Sequence, residues 1–290
     1  MARKFVIVTD SACDMPDEYY KENDIDCVPL GFTMNGVTYG GEEGETIPIK
    51  EFYQAIRDGA MPKTFQITPA QARLHLEKHV KEGKDVLVLS FSSGLSGTCE
   101  SYRIAARELM EEYPNSTIVV VDTLCAAMGQ GMLLDYVIKK ADEGASLEET
   151  FAYADNLKHH ICHIFTVDNL YHLMRGGRVS HTTAVVGSML KIKPVLTVDD
   201  TGHLVPIAKA MGRKKSLSML VERMQALETL TEDDPIFITH ADCEEDAQYL
   251  MSLVKARFGE RRFVVNYVGS VIGTHTGAGM VALFFRGEKR

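Results

Sequence analysis

Apolar positions along this chain follow two alternating patterns. Phe5–Val8, Asp85–Leu89 and Thr117–Val121 are short, near-continuous apolar runs and read as buried strands. Between and around them the spacing becomes helical over 14–23, 49–58, 69–82, 98–112 and 126–143. In the first of these, Asp14 reads as the N-cap, with Pro16 near the first turn. The stretch from Cys27 to Tyr39 reads as a hairpin turning at Asn35-Gly36. Continuous apolar strands separated by helices imply a parallel sheet covered on both faces.

A second set of elements begins near His160. The pattern predicts a strand over 161–167 and a short helix over 168–174 running into Arg175-Gly176-Gly177-Arg178. A helix over 182–190 follows, then a hairpin of 194–199 and 203–209 turning across Asp200-Thr201-Gly202. Helices over 214–230 and 244–258 and strands over 235–241, 262–268 and 280–285 complete it. The expected fold is α/β with two α/β domains. A Rossmann-like parallel-sheet domain spans 1–159 and a mixed-sheet domain spans 160–290, with the ligand between them near strand C-terminal ends.

Composition narrows the class. The 290 residues are 45% hydrophobic and 24% charged, as in an ordinary globular protein. No run is long enough for a signal-peptide core or a membrane span. The six cysteines are scattered without a Cys-x-x-Cys, so reduced thiols and a cytoplasmic location are expected. The net charge of −9 is uneven, being −11 up to residue 160 and +2 beyond it. An acidic chain is a poor nucleic-acid binder, and no such partner is expected. Nevertheless, Arg175, Arg178, Lys191, Lys193, Lys209, Arg213, Lys214 and Lys215 fall close together, as a docking surface for something anionic would require.

The stretch Ser90–Thr98 carries the strongest chemical signal. Four serines and two glycines occupy a strand-to-helix junction, where free backbone N–H groups and the helix dipole favour an anion. Ser92, Ser93 and Gly94 are the candidate seat for a carboxylate or phosphate. Hydroxyls also end the other parallel strands, at Thr9-Asp10-Ser11 and Asp122-Thr123, where capping alone accounts for each cluster singly. In the loop Lys63–Thr68, Thr68 is placed to cap the next helix. Near the end, Gly273–Gly279 reads as a glycine-rich loop around His275, with Thr276 and Gly277 beside it, suited to a ligand contact. His159, His160, Cys162 and His163 lack zinc-ligand spacing, so no metal is expected. There is no phosphate-binding Gly-x-x-x-x-Gly-Lys, and Thr98 stands where a nucleophile elbow needs glycine. A Ser93/His275 pair for acyl hydrolysis or transfer remains open, without an evident acidic partner.

Together these segments resemble the DegV family of bacterial fatty-acid-binding proteins over nearly the whole chain. The resemblance rests on Thr9-Asp10-Ser11, Pro62-Lys63-Thr64 with Gln66, Ser92–Thr98, Gly176-Gly177-Arg178, Lys193-Pro194 and His275-Thr276-Gly277. Phe65 stands where the family often has serine. The resemblance implies one long-chain fatty acid in a buried tunnel and no other cofactor. Thr64, Ser93 and His275 are implied to hold its carboxylate. It also implies a non-catalytic protein that presents the acid to a separate ATP-dependent fatty-acid kinase, with Arg178 and Arg213 near the head group or the docking surface. No stable membrane insertion is implied. A regulatory protein governed by its lipid occupancy is a further reading.

Overall fold

A computed structural model describes residues 3–180 and 191–290, so the helix expected over 182–190 lies outside the described residues. Strands β1 (Phe5–Asp10), β2 (Ile25–Val28), β6 (Asp85–Ser90) and β7 (Ile118–Asp122) form a parallel sheet ordered β2-β1-β6-β7. The helices α3 (Pro69–Lys81) and α4 (Thr98–Glu112) pack together against it, and α6 (Leu147–Leu157) packs against β6 and β7. A small antiparallel sheet, β4 (Val37–Gly40), β3 (Gly31–Met34) and β5 (Lys63–Phe65), stands beside it.

All described strands after residue 160 belong to a third, six-stranded sheet. Its order is β10 (Leu204–Met211), β9 (Ile192–Val198), β8 (Ile161–Thr166), β13 (Val281–Arg286), β11 (Ile236–His240) and β12 (Phe263–Tyr267). Only β11 and β12 pair in parallel, so the sheet is mixed, as expected. Pro206 sits in the edge strand β10, where a bulge interrupts the register and a missing N–H does least harm.

Alternation along β8 and β13 divides the core between the two faces of this sheet. Cys162, Ile164, Val281, Leu283 and Phe285 pack under α8 (Arg213–Leu227) and α9 (Glu244–Phe258). Phe165, Ala282 and Phe284 face the other way and join a core continuous with Ile7, Val8 and Leu87 of the parallel sheet. The helix α5 (Met128–Asp142) fills the space between the sheets, packing on β8, β11 and β13.

Several local expectations are corrected. Asp14 is not the N-cap of α1: it ends a short 3-10 turn over Ser11–Cys13 in a left-handed conformation (φ 54°), and α1 (Asp17–Glu22) begins after Pro16. The expected 27–39 hairpin is really two features. Ile25–Val28 pairs in parallel with β1, and the hairpin proper is β3–β4 around Asn35-Gly36. The helix α6 was not anticipated, although Ser146 and Glu149 form a capping box at its start. The supposed glycine-rich loop at 273–279 is largely a helix, α10 (Ser270–Thr276). Gly273 is there for closeness rather than flexibility, since a Cβ would lie 2.5 Å from the Tyr53 hydroxyl on α2 (Ile49–Arg57).

Candidate functional site

The helix α10 presents Val271, Ile272, His275 and Thr276 to a cavity of about 390 Å³ between the parallel and mixed sheets. Opposite it, β5 brings Thr64 into hydrogen-bond contact, with Thr64 Oγ1 2.8 Å from His275 Nε2. Gly176, at the end of α7 (Tyr171–Arg175), allows the ring to sit there: a Cβ at that position would lie 2.2 Å from His275 Nδ1. Arg175 ties the same corner together, donating to the carbonyls of Pro62 (3.0 Å) and Thr274 (3.3 Å). Arg178 donates from Nε to the Leu95 carbonyl (3.0 Å) and lines the cavity beside Ser96 and Gly97.

His275 is neutral. Burial, helped by the Arg178 and Arg175 guanidiniums, pushes its pKa down to about 3. Nδ1 is buried and has no hydrogen-bond partner. An unpaired acceptor nitrogen costs less here than an unpaired imidazole N–H beside two cations. The tautomer that meets this constraint carries the proton on Nε2, which donates to Thr64 and leaves the Thr64 hydroxyl proton free for another acceptor.

Beyond this polar end the walls are apolar. Phe91, Leu95, Phe165, Leu173, Val198, Leu204, Met280, Ala282 and Phe284 supply most of them, with Ala126, Ala127 and His163 at the start of α5 and on β8. A mainly apolar lining with a few convergent polar groups is what a small-molecule site requires.

Of the expected site residues, Thr64, Arg178, His275 and Thr276 come together at this end. Ser92, Ser93 and Gly94 do not. The Ser92 hydroxyl donates to the Gly202 carbonyl (2.9 Å), and Gly94 packs against that same turn. Ser93 is exposed, with its N–H donated to Asp122 Oδ1 (3.1 Å). The reason is the course of the turn: α4 starts only at Thr98, so the serine that reaches the cavity is Ser96. Its hydroxyl accepts from the Thr98 N–H (3.2 Å) and lies 3.0 Å from Thr98 Oγ1. Ser93 and His275 are thus not paired. Gly277 closes α10 at φ 73° and packs on His172 rather than lining the cavity.

Arg213 belongs to a neighbouring polar cavity of about 420 Å³, which shares Thr276 with the first. It is ion-paired with Asp246 (2.8 Å) and donates to the Gly279 carbonyl (2.6 Å), while Lys193 pairs with Asp168 (2.8 Å) nearby. The other hydroxyl clusters hold loops in place. Thr9 donates to the Leu89 carbonyl, and Thr123 to that of Ser90. Asp10, its pKa raised to about 6 by burial, accepts from the Phe91 N–H (2.9 Å) and so fixes the start of the cavity turn. No group of three or more His, Cys, Asp or Glu among the described residues is arranged for a metal, and no described helix is long and apolar enough to cross a membrane.

Fold and site define an α/β protein of three sheets with a mainly apolar cavity, one end of which is lined by hydroxyls and an imidazole. The chain belongs to the DegV family: the model described as "Uncharacterised protein, DegV family" matches residues 4–288. A DegV domain-containing protein of Clostridium perfringens is 42% identical over 288 residues, covering 99% of each chain. A solved DegV family structure from Thermus thermophilus, described as fatty-acid binding, matches with a TM-score of 0.88 and 30% identity over 99% of this chain and 100% of that one. A Thermotoga maritima protein described as revealing a fatty-acid-binding function gives a TM-score of 0.85 and 29% identity over 99% of this chain and 100% of that one.

Proposed function

We propose that this protein binds one long-chain fatty acid, its tail in the apolar cavity and its carboxylate at the Thr64–His275 end. The observation that carries this reading is the cavity itself, apolar along its length and ended by the Thr64–His275 hydrogen bond. The fatty-acid-binding relatives of the same fold support it. In this reading Thr64 donates its hydroxyl proton to the carboxylate and is itself oriented by His275. Ser96 and Thr276 offer further hydroxyls, and Arg178 supplies positive charge. A buried carboxylate needs such partners. Each buried methylene contributes about 0.8 kcal/mol, so the tail supplies most of the affinity.

Binding, rather than acyl hydrolysis, fits the His275 environment. A serine hydrolase needs its histidine paired with a nucleophile and oriented by an acid. Here Nδ1 has no partner and Nε2 is committed to Thr64. The polar end is also where a separate ATP-dependent fatty-acid kinase would have to reach the carboxylate, with Arg213 and the adjoining polar cavity as part of its docking surface. We assign 1–159 and 160–290 as the two domains that close on the acid. All six cysteines are free thiols, which suits a cytoplasmic setting.

Calorimetric titration with oleate tests the reading. The wild type should bind one equivalent, and Thr64→Ala should weaken binding by about tenfold or more, the loss of a hydrogen bond to a charged group. No saturable binding to the wild type contradicts it. Arg213→Ala should leave oleate affinity unchanged but slow acyl-phosphate formation by an added fatty-acid kinase; equal rates would remove Arg213 from docking.

A further inference from the structure

The cavity has a direction, set by the register of two strands. β13 runs inward from α10, and Met280, Ala282 and Phe284 line the cavity in succession. Ala282 pairs with Phe165 and Phe284 with His163, so each step of two residues moves about 7 Å deeper. His163, Phe284, Ala126 and Ala127 therefore stand at the end remote from His275.

His163 is fixed there on every side. Nδ1 donates to the Ile161 carbonyl (2.9 Å), and Nε2 accepts the Ala126 N–H (3.3 Å). Because the amide can only donate, Nε2 carries no proton and the ring is the neutral Nδ1–H tautomer. Burial, with the Arg290 charge adding to it, keeps it neutral by lowering its pKa to about 3. The Phe284 ring meets it edge-on at 5.3 Å. Behind it, the first turn of α5 presses close: a Cβ on Gly129 would lie 2.0 Å from His163 Nε2. With both nitrogens satisfied by backbone, the imidazole offers the cavity no unpaired polar atom and has no room to retreat.

We propose that His163, braced by Ala126 and Gly129, is the stop that sets the longest acyl chain the cavity holds. The inference rests on the fatty-acid reading and adds the determinant of chain length to it. An acid too long for the cavity would have to push the ring off the half-buried Ala126 N–H, leaving that donor without its partner.

The test is a titration series of saturated acids differing by two carbons, run on the wild type, His163→Ala and Ala126→Leu. Wild-type affinity should climb with length and then fall. His163→Ala should move the optimum to a longer acid. Ala126→Leu, which fills the same end, should move it to a shorter one, with about a fourfold loss for each methylene no longer buried. If His163→Ala does not fold, the direction of the Ala126→Leu shift decides. A wild type that binds the series while both variants keep its optimum overturns the stop and leaves the fatty-acid reading intact. A wild type that binds no acid overturns both.

Discussion

In the proposed reading Thr64, Ser96 and His275 hold the carboxylate, and they differ in how far the sequence points to them. His275 is the one imidazole in its glycine-rich segment, whereas Thr64 shares its loop with Thr68 and only the family resemblance singles it out. Ser92, Ser93 and Ser96 are chemically equivalent, and the path of the turn before α4 selects among them. Ser96→Ala should therefore weaken fatty-acid binding about tenfold, whereas Ser93→Ala, exposed and outside the cavity, should match the wild type by calorimetry. The opposite result would restore Ser93 as the carboxylate ligand. His275 also makes a pH prediction. Its folded pKa of about 3 lies below the ordinary 6.5, so the unfolded chain takes up a proton first as pH falls. Its contribution to stability is complete above about pH 6.5 and is lost progressively toward about pH 3. The fall in Tm between about pH 7 and about pH 4 should accordingly be smaller in His275→Gln than in the wild type. An equal fall would mean that His275 is not held neutral.

At the scale of elements, strands and long helices are legible because burial imposes their periodicity. The misses have local causes. In α10, Gly273 and Gly277 imitate a loop, yet one is packed tightly on α2 and the other ends the helix. β5 is three residues long, too short for a pattern to emerge, although it carries Thr64. The adjacent glycines after α7 separate two roles that sequence cannot distinguish. Gly176 has an ordinary φ of −75° but no room for a Cβ beside His275. Gly177 has φ 73° and open space around it. Gly176→Ala should cut fatty-acid affinity at least about tenfold by displacing the ring. Gly177→Ala should cost about 1 kcal/mol of stability through its backbone while leaving affinity near that of the wild type. Calorimetry and urea unfolding of the two variants check both halves, and matched effects would show that the ring is not seated by Gly176.

Over the whole molecule, the core runs from Ile7 of the first sheet to Phe284 of the third, with the cavity inside it. The two-layer α/β plan was readable from patterning. The continuity of the core was not, because it depends on α5, which packs on the mixed sheet while its Gln130 donates to Thr9 and the Leu89 carbonyl of the parallel one. Urea unfolding followed by circular dichroism should show one transition rather than two. Its midpoint should rise with bound acid, by about 2.7 kcal/mol of added stability at a free concentration one hundred times Kd. Two separate transitions would mean that the halves fold independently.

The most direct measurement is mass spectrometry of an organic extract from the denatured, purified protein, paired with oleate and palmitate titration of the delipidated chain. The account predicts close to one long-chain fatty acid per protein in the extract and one saturable site in the titration. An extract without fatty acid, together with no binding of either added acid, would contradict it.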